Sequence, residues 1–186
     1  MTKLHQILKP VVAALLLVGW LAGPVLGQAG NLDELFTELA QPDNPDWQRV
    51  EDDIWAAWSR SGSDAMDLLL ERGRAAIEEG NLDAAIEHLT ALVDHAPEFA
   101  EGWNARATAY FNAGLYGPSL ADIERTLALN PRHFGALAGL GLILEDLGLR
   151  DRALEAYKRA RAIHPHRPDI LEAIERLEKE QTGTKL

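Results

Sequence analysis

The chain has 186 residues, of which 47% are apolar, and it sets 18 Lys and Arg against 29 Asp and Glu for a formal net charge of −11. That length and composition suffice for one modest domain with a packed core, and the negative field repels phosphate backbones, which excludes nucleic acid as a partner. The absence of cysteine removes disulfides, thiolate nucleophiles, Cys-based zinc sites and a lipoprotein anchor.

In chain order, Lys3 and Lys9 first form a positive segment ahead of an apolar run over 11–22. Pro24 and Gly27 then break helix, and Gly27-Gln28-Ala29 puts small residues at the −3 and −1 positions of a cut before Gly30. Val25-Leu26-Gly27 offers a second cut, before Gln28. This layout predicts a cleaved secretory signal peptide over 1–29. The run falls short of the roughly 20 apolar residues that a spanning helix needs. The alternative is a retained N-terminal anchor, and only then is a membrane implied.

Residues 30–64 predict a pair of short helices. Leu32, Leu35, Phe36 and Leu39 make one stripe at helical spacing, with Asn31 as its cap. Pro42 and Pro45 end that helix. Over 46–60, Trp47, Val50, Ile54, Trp55 and Trp58 form a second stripe, closed by Ser61-Gly62-Ser63. Three Trp on one short helix resemble a ligand cage, but sealing the exposed end of a core explains them more simply. Another possibility is a self-association patch.

From residue 66 the chain repeats. Gly80, Gly114 and Gly148 stand 34 residues apart, as do Pro97, Pro131 and Pro165, and so do Gly73, Ala107 and Gly141. Each series has a physical task. The first can take positive φ and end a helix. The second ends the following helix and opens the next unit. The third lets two helices approach closely. Units of this size cannot bury their own apolar faces, so they must stack. The period predicts units at 65–98, 99–132 and 133–166, each a helix-turn-helix. Over 167–186 a last stripe of Ile170, Leu171, Ile174 and Leu177 predicts a capping helix and a tail. The fold class is an all-α solenoid.

The pattern resembles the tetratricopeptide repeat (TPR) family. Trp103, Ala107, Tyr110, Gly114 and Pro131 fall at that family's Trp, small, Tyr, Gly and Pro positions. Gly141, Gly148, Ala153, Tyr157, Ala160 and Pro165 match its second half. The departures are Leu69, where the family often has Trp, and Ser119, where it often has Ala. More narrowly, the segments at 98–104 and 130–137 are similar to those of small exported TPR proteins of Alphaproteobacteria. That resemblance implies a periplasmic protein of the cell envelope.

The resemblance also implies that the first helix of each unit lines a concave groove. It places Asp67, Leu70, Arg74, Ile77 and Glu78 there, then Glu101, Asn104, Thr108, Phe111 and Asn112, then Gly135, Ala138, Leu142, Glu145 and Asp146. Asn104 and Asn112 can each donate and accept, which suits a peptide backbone. Phe111 offers an apolar platform, and Glu78, Glu145 and Asp146 favour a ligand with positive groups. Arg74 is the lone base among these positions, so the Lys, Arg and Asn set with which some TPR domains clamp a chaperone's C-terminal carboxylate is not reproduced. Arg106, Arg132 and His133 form a second candidate cluster, with helix capping as the simpler role.

Catalysis finds little support. The histidines show no metal-binding spacing, and His164-Pro165-His166 makes a poor chelate. No serine sits in a nucleophile elbow. No cofactor is expected. The sequence therefore predicts an exported interaction module that holds a peptide segment of an envelope or secretion partner. The alternatives are a membrane-tethered assembly factor and an enzyme using the acidic groove.

Overall fold

The computed structural model describes residues 26–183, and the side chains of 31–182. Most of the expected leader, residues 1–25, lies outside the described residues. Among the described residues there are nine α-helices and no strand. They are α1 (Leu26–Leu39), α2 (Trp47–Trp58), α3 (Asp64–Glu78), α4 (Leu82–His95), α5 (Ala100–Asn112), α6 (Tyr116–Leu129), α7 (Phe134–Asp146), α8 (Arg150–Ile163) and α9 (Pro168–Gly183). None of them is long and apolar enough to cross a membrane.

Helices α3 to α8 form three antiparallel hairpins that stack in sequence, and α9 packs on α8. Identical chemistry ends the first helix of each hairpin. Gly80, Gly114 and Gly148 adopt φ of 73°, 72° and 72°, a region that costs a side chain about 1 kcal/mol or more. This left-handed residue lets two amides turn back onto the last carbonyls of the helix. Gly114 N–H donates to Phe111 O at 2.9 Å and Leu115 N–H to Tyr110 O at 2.8 Å, with the same pair of bonds at the other two turns.

The small-residue series brings the two helices of each hairpin together. A Cβ at Gly73 would stand 2.4 Å from Leu89, and one at Gly141 would stand 2.5 Å from the Tyr157 ring. In the middle hairpin Ala107 occupies this position, and fully buried Ser119 faces it, donating its hydroxyl to the Ala107 carbonyl at 2.8 Å. The serine therefore keeps the close approach and satisfies its own polar atom. The cores are the expected apolar ones, with Leu70, Ala85, Leu89 and Leu92 in the first hairpin and Leu137, Ala153, Tyr157, Ile170 and Ile174 at the last.

The N-terminal pair departs from expectation twice. Asn31 does not cap α1, because the helix already runs from Leu26 through Gly27 and Gly30. Glycine inside a helix costs only about 1 kcal/mol and so need not end it. Nor does the α1–α2 pair seal the free end of the array beside α3. It folds back onto the middle of the molecule, where Phe36, Leu39, Val50, Ile54 and Trp58 share one cluster with Phe134 of α7, and Ile163 of α8 packs against it. Arg132 donates to Asp33 at 2.6 Å and lies over the Phe36 ring. His166 Nε2 donates to the Leu39 carbonyl at 2.9 Å. The physical reason is the partner chemistry offered by the 130–133 and 164–167 turns, which present imidazoles and guanidinium groups to an aromatic helix.

Candidate binding groove

Helices α3, α5, α7 and α9 line one face of the array, and three hollows run between them. The first holds about 250 Å³ and is lined by Arg74, Ile77, Glu78, Glu101, Asn104, Ala105 and Thr108, with Trp55 of α2 as a wall. The second holds about 300 Å³ between α5 and α7. It is floored by Ala107, Phe111, Ile123, Ala138, Gly139, Leu142 and Ile143, with Asn104, Thr108 and Asn112 on its α5 side and Arg167 and Asp169 at one end. The third, about 700 Å³, lies between α7 and α9 and is bordered by Leu142, Glu145, Arg176 and Lys179. Asn104 and Thr108 border both of the first two hollows, which therefore adjoin across α5. Leu142 joins the second to the third, and it is 48% exposed.

Glu101 is the electrostatic hub of the first hollow. Only 2% of it is exposed, yet its carboxylate accepts from Arg74 at 2.6 Å, from Asn104 at 3.2 Å and from His133 Nε2 at 2.8 Å. His133 is fully buried at the N-terminus of α7, where its Nδ1 accepts the Ala136 N–H at 3.0 Å. That bond leaves Nδ1 bare and fixes the ring proton on Nε2, which donates to Glu101. Trp58 stacks on the same imidazole at 4.3 Å between centroids. Arg74 also donates to Ser59 at 2.9 Å. The one base of the first hollow is thus already committed to Glu101 and to the end of α2.

The other acidic positions are mostly answered from within. Glu145 accepts from Tyr157 at 2.9 Å and pairs with Arg176 of α9 at 2.7 Å. The Arg176 guanidinium, against a smaller opposing effect of burial, holds the Glu145 carboxyl below its ordinary range. Asp146 accepts from Tyr116 at 2.7 Å. Glu78 is exposed, and no ion pair joins it among the described residues. Of the expected acidic positions Glu78, Glu145 and Asp146, Glu78 alone has neither an ion pair nor a hydrogen bond from a side chain among the described residues. The cause lies in the second helices and in α9, which supply partners that the groove positions alone do not reveal.

The second candidate cluster does not assemble. Arg106 lies between α5 and α6, paired through two bonds of 2.8 and 2.9 Å with buried Asp122 and placed over the Trp103 ring. Arg132 points to α1, and buried His133 points to Glu101 of α5. Residues 132 and 133 are neighbours in sequence, but the turn aims them at different elements.

Trp55, Arg167, Asp169, Arg176 and Lys179 are among the lining residues that the sequence did not place in the groove. Arg167 bridges Glu51 of α2 at 3.1 Å and Asp169 at 2.7 Å. Burial opposes the charge on Glu51, but His164, Trp55 and Arg167 together outweigh it and hold the carboxyl below the usual range.

With this geometry in view, the comparisons decide the family. The Tetratricopeptide repeat model matches residues 70–118 and 104–168. The chain belongs to the tetratricopeptide repeat family. A TPR repeat-containing protein of Rhizobium etli is 36% identical over 156 residues, covering 83% of this chain and 76% of that protein. The BBSome complex member BBS4 of Bos taurus is 24% identical over 150 residues, which are 72% of this chain but 28% of that protein. Among solved structures, the first TPR of Spaghetti (RPAP3) bound to the HSP90 peptide SRMEEVD superposes with a TM-score of 0.61 at 22% identity, covering 64% of this chain and 95% of that one. The MamA protein superposes with a TM-score of 0.58 at 22% identity, covering 82% and 84%. These likenesses in structure share the TPR fold, and MamA matches over the greater part of the chain.

Proposed function

We propose that this TPR protein is an interaction module whose concave face, from α3 to α9, holds an extended peptide segment of a partner protein. The observation that carries the reading is that the first two hollows adjoin at Asn104 and Thr108. A peptide lying there meets side-chain amides at intervals along α5 and apolar surface on either side, the combination that fixes a backbone and selects side chains. The TPR relative bound to an HSP90 peptide supports a peptide as the class of ligand.

The segment over 1–29 has the layout of an export signal, and we infer an exported, periplasmic protein that serves an envelope or secretion partner. A second reading has one observation in its favour. Helix α1 runs unbroken from Leu26, through both expected cleavage points, which suits a retained anchor and a membrane-tethered assembly factor. The N-terminus of the protein isolated from cells separates the two. A start at Gln28 or Gly30 supports export with cleavage, whereas an intact Met1 in the membrane fraction supports the tether.

The groove itself is tested by affinity capture from an envelope extract. Native protein enriches a partner, and Asn104→Ala combined with Asn112→Ala reduces its recovery about tenfold, as expected when two backbone-directed amides are lost. Equal recovery with the double variant contradicts the groove.

A further inference from the structure

We propose that the groove selects a peptide carrying one basic side chain close to one large apolar side chain, with the basic group seated between Trp55 and Glu78. This rests on the reading of the groove as a peptide site. The first hollow contains two carboxylates and one guanidinium, and His133 enters the network carrying its proton on Nε2 as a neutral donor. Glu101 and Arg74 neutralise each other at 2.6 Å, and both are further occupied by His133, Asn104 and Ser59. What remains available is the carboxylate of Glu78 and the part of the half-buried Trp55 ring that lines the hollow, its N–H being committed to Glu51, a pairing that favours a cation through charge and through the ring quadrupole. The same accounting excludes an acidic side chain. The charge of Arg74 is already answered by Glu101 at 2.6 Å, and Glu78 repels such a side chain.

The second hollow begins where the first ends, on the far side of Asn104 and Thr108. Its floor of Phe111, Ala138, Leu142 and Ile143 is apolar, and Leu142 stands 48% exposed with its charged neighbours Glu145 and Asp146 already paired. Adjacent packed helices lie about 8–10 Å apart, and an extended chain advances about 3.3 Å per residue. The two side chains are therefore separated by about two or three residues in the bound segment.

The test is selection of random linear peptides, displayed on phage, against the full chain. Enriched peptides should carry Lys or Arg two or three residues from Leu, Ile, Met or an aromatic residue. Glu78→Lys, at an exposed position with no structural partner, should shift that basic position to Asp or Glu and weaken the original peptides about tenfold, while the apolar preference remains. Leu142→Asp should remove the apolar preference and leave the basic one. Enriched peptides without a basic residue, or an unchanged preference in Glu78→Lys, overturn the proposal. If Asn104→Ala with Asn112→Ala abolishes enrichment while Glu78→Lys changes nothing, the groove stands and this specificity falls. No enrichment at all sinks both.

Discussion

The repeat array and the N-terminal helical pair are built from the same helix-forming residues but held by different physics. Within the array, helices meet at close contacts that small residues make possible, as where Gly73 admits the Leu89 side chain and Ala107 admits the small, hydrogen-bonded Ser119. The pair docks through a layered set of rings, in which Trp58 stacks on His133 and Trp47 on His166, with Trp55 edge-on to Phe134. Charges close the seam, with Glu51 beside His164 and Arg167, and Arg132 against Asp33. Local, periodic apolar packing makes a rigid frame. Non-local aromatic and polar contacts attach the pair to it, and the pair carries Trp55 to the groove wall.

The difference predicts unequal responses to substitution. Leu89→Ala, at a fully buried site in the frame, should cost about 2–5 kcal/mol and lower the melting temperature of the whole chain. A melt that resolved into a separate loss of the N-terminal pair would break the comparison. Gly141→Ala should cost about 1–3 kcal/mol, because the Tyr157 ring in its way is tied through its hydroxyl to Glu145. Combining it with Tyr157→Phe, which frees the ring, should recover part of that loss in a denaturant titration.

Glu51→Gln should cost about 1–2 kcal/mol, felt at the seam alone. Hydrogen exchange should quicken in α1 and α2 and stay constant in α3 to α8; uniform quickening would mean that the pair is part of the frame. Acid should act in the same way. The folded Glu51 carboxyl lies below its ordinary value of 4.5, so its contribution is complete above that value and is lost as pH falls through the lower, folded one. Acidification should loosen the native pair, and Glu51→Gln should remove the part of that response due to this group. Arg49→Ala, which breaks exposed pairs with Glu38 and Asp53, should change stability by at most about 0.5 kcal/mol.

The sequence made the frame legible because its constraints recur. A glycine that must take φ near +72°, and a proline beyond every second helix, leave a period of 34 that no local propensity obscures. The groove positions on α3, α5 and α7 followed from the family resemblance that the period revealed, and the second hollow gathers Asn104, Thr108, Phe111 and Asn112 on their shared helix. Their electrostatic state was not legible. Arg176 reaches Glu145 across 31 residues and Arg74 reaches Glu101 across 27, and such contacts leave no mark on a helical wheel. The place of the N-terminal pair was hidden for the same reason. Its bonds span 99 residues at Asp33, 116 at Glu51 and 127 at Leu39. The three Trp revealed an apolar stripe, but not the histidines that receive it.

The central claim is that the N-terminal pair folds back onto the 130–133 and 164–167 turns and brings Trp55 to the groove wall. Because the chain has no native cysteine, it can be tested with Asp33→Cys and Arg132→Cys in one molecule, treated with a short thiol-to-thiol crosslinker. The fold predicts an intramolecular link in dilute solution, mapped by mass spectrometry to residues 33 and 132. Doubly modified but unlinked monomer, or links only between molecules, would contradict it.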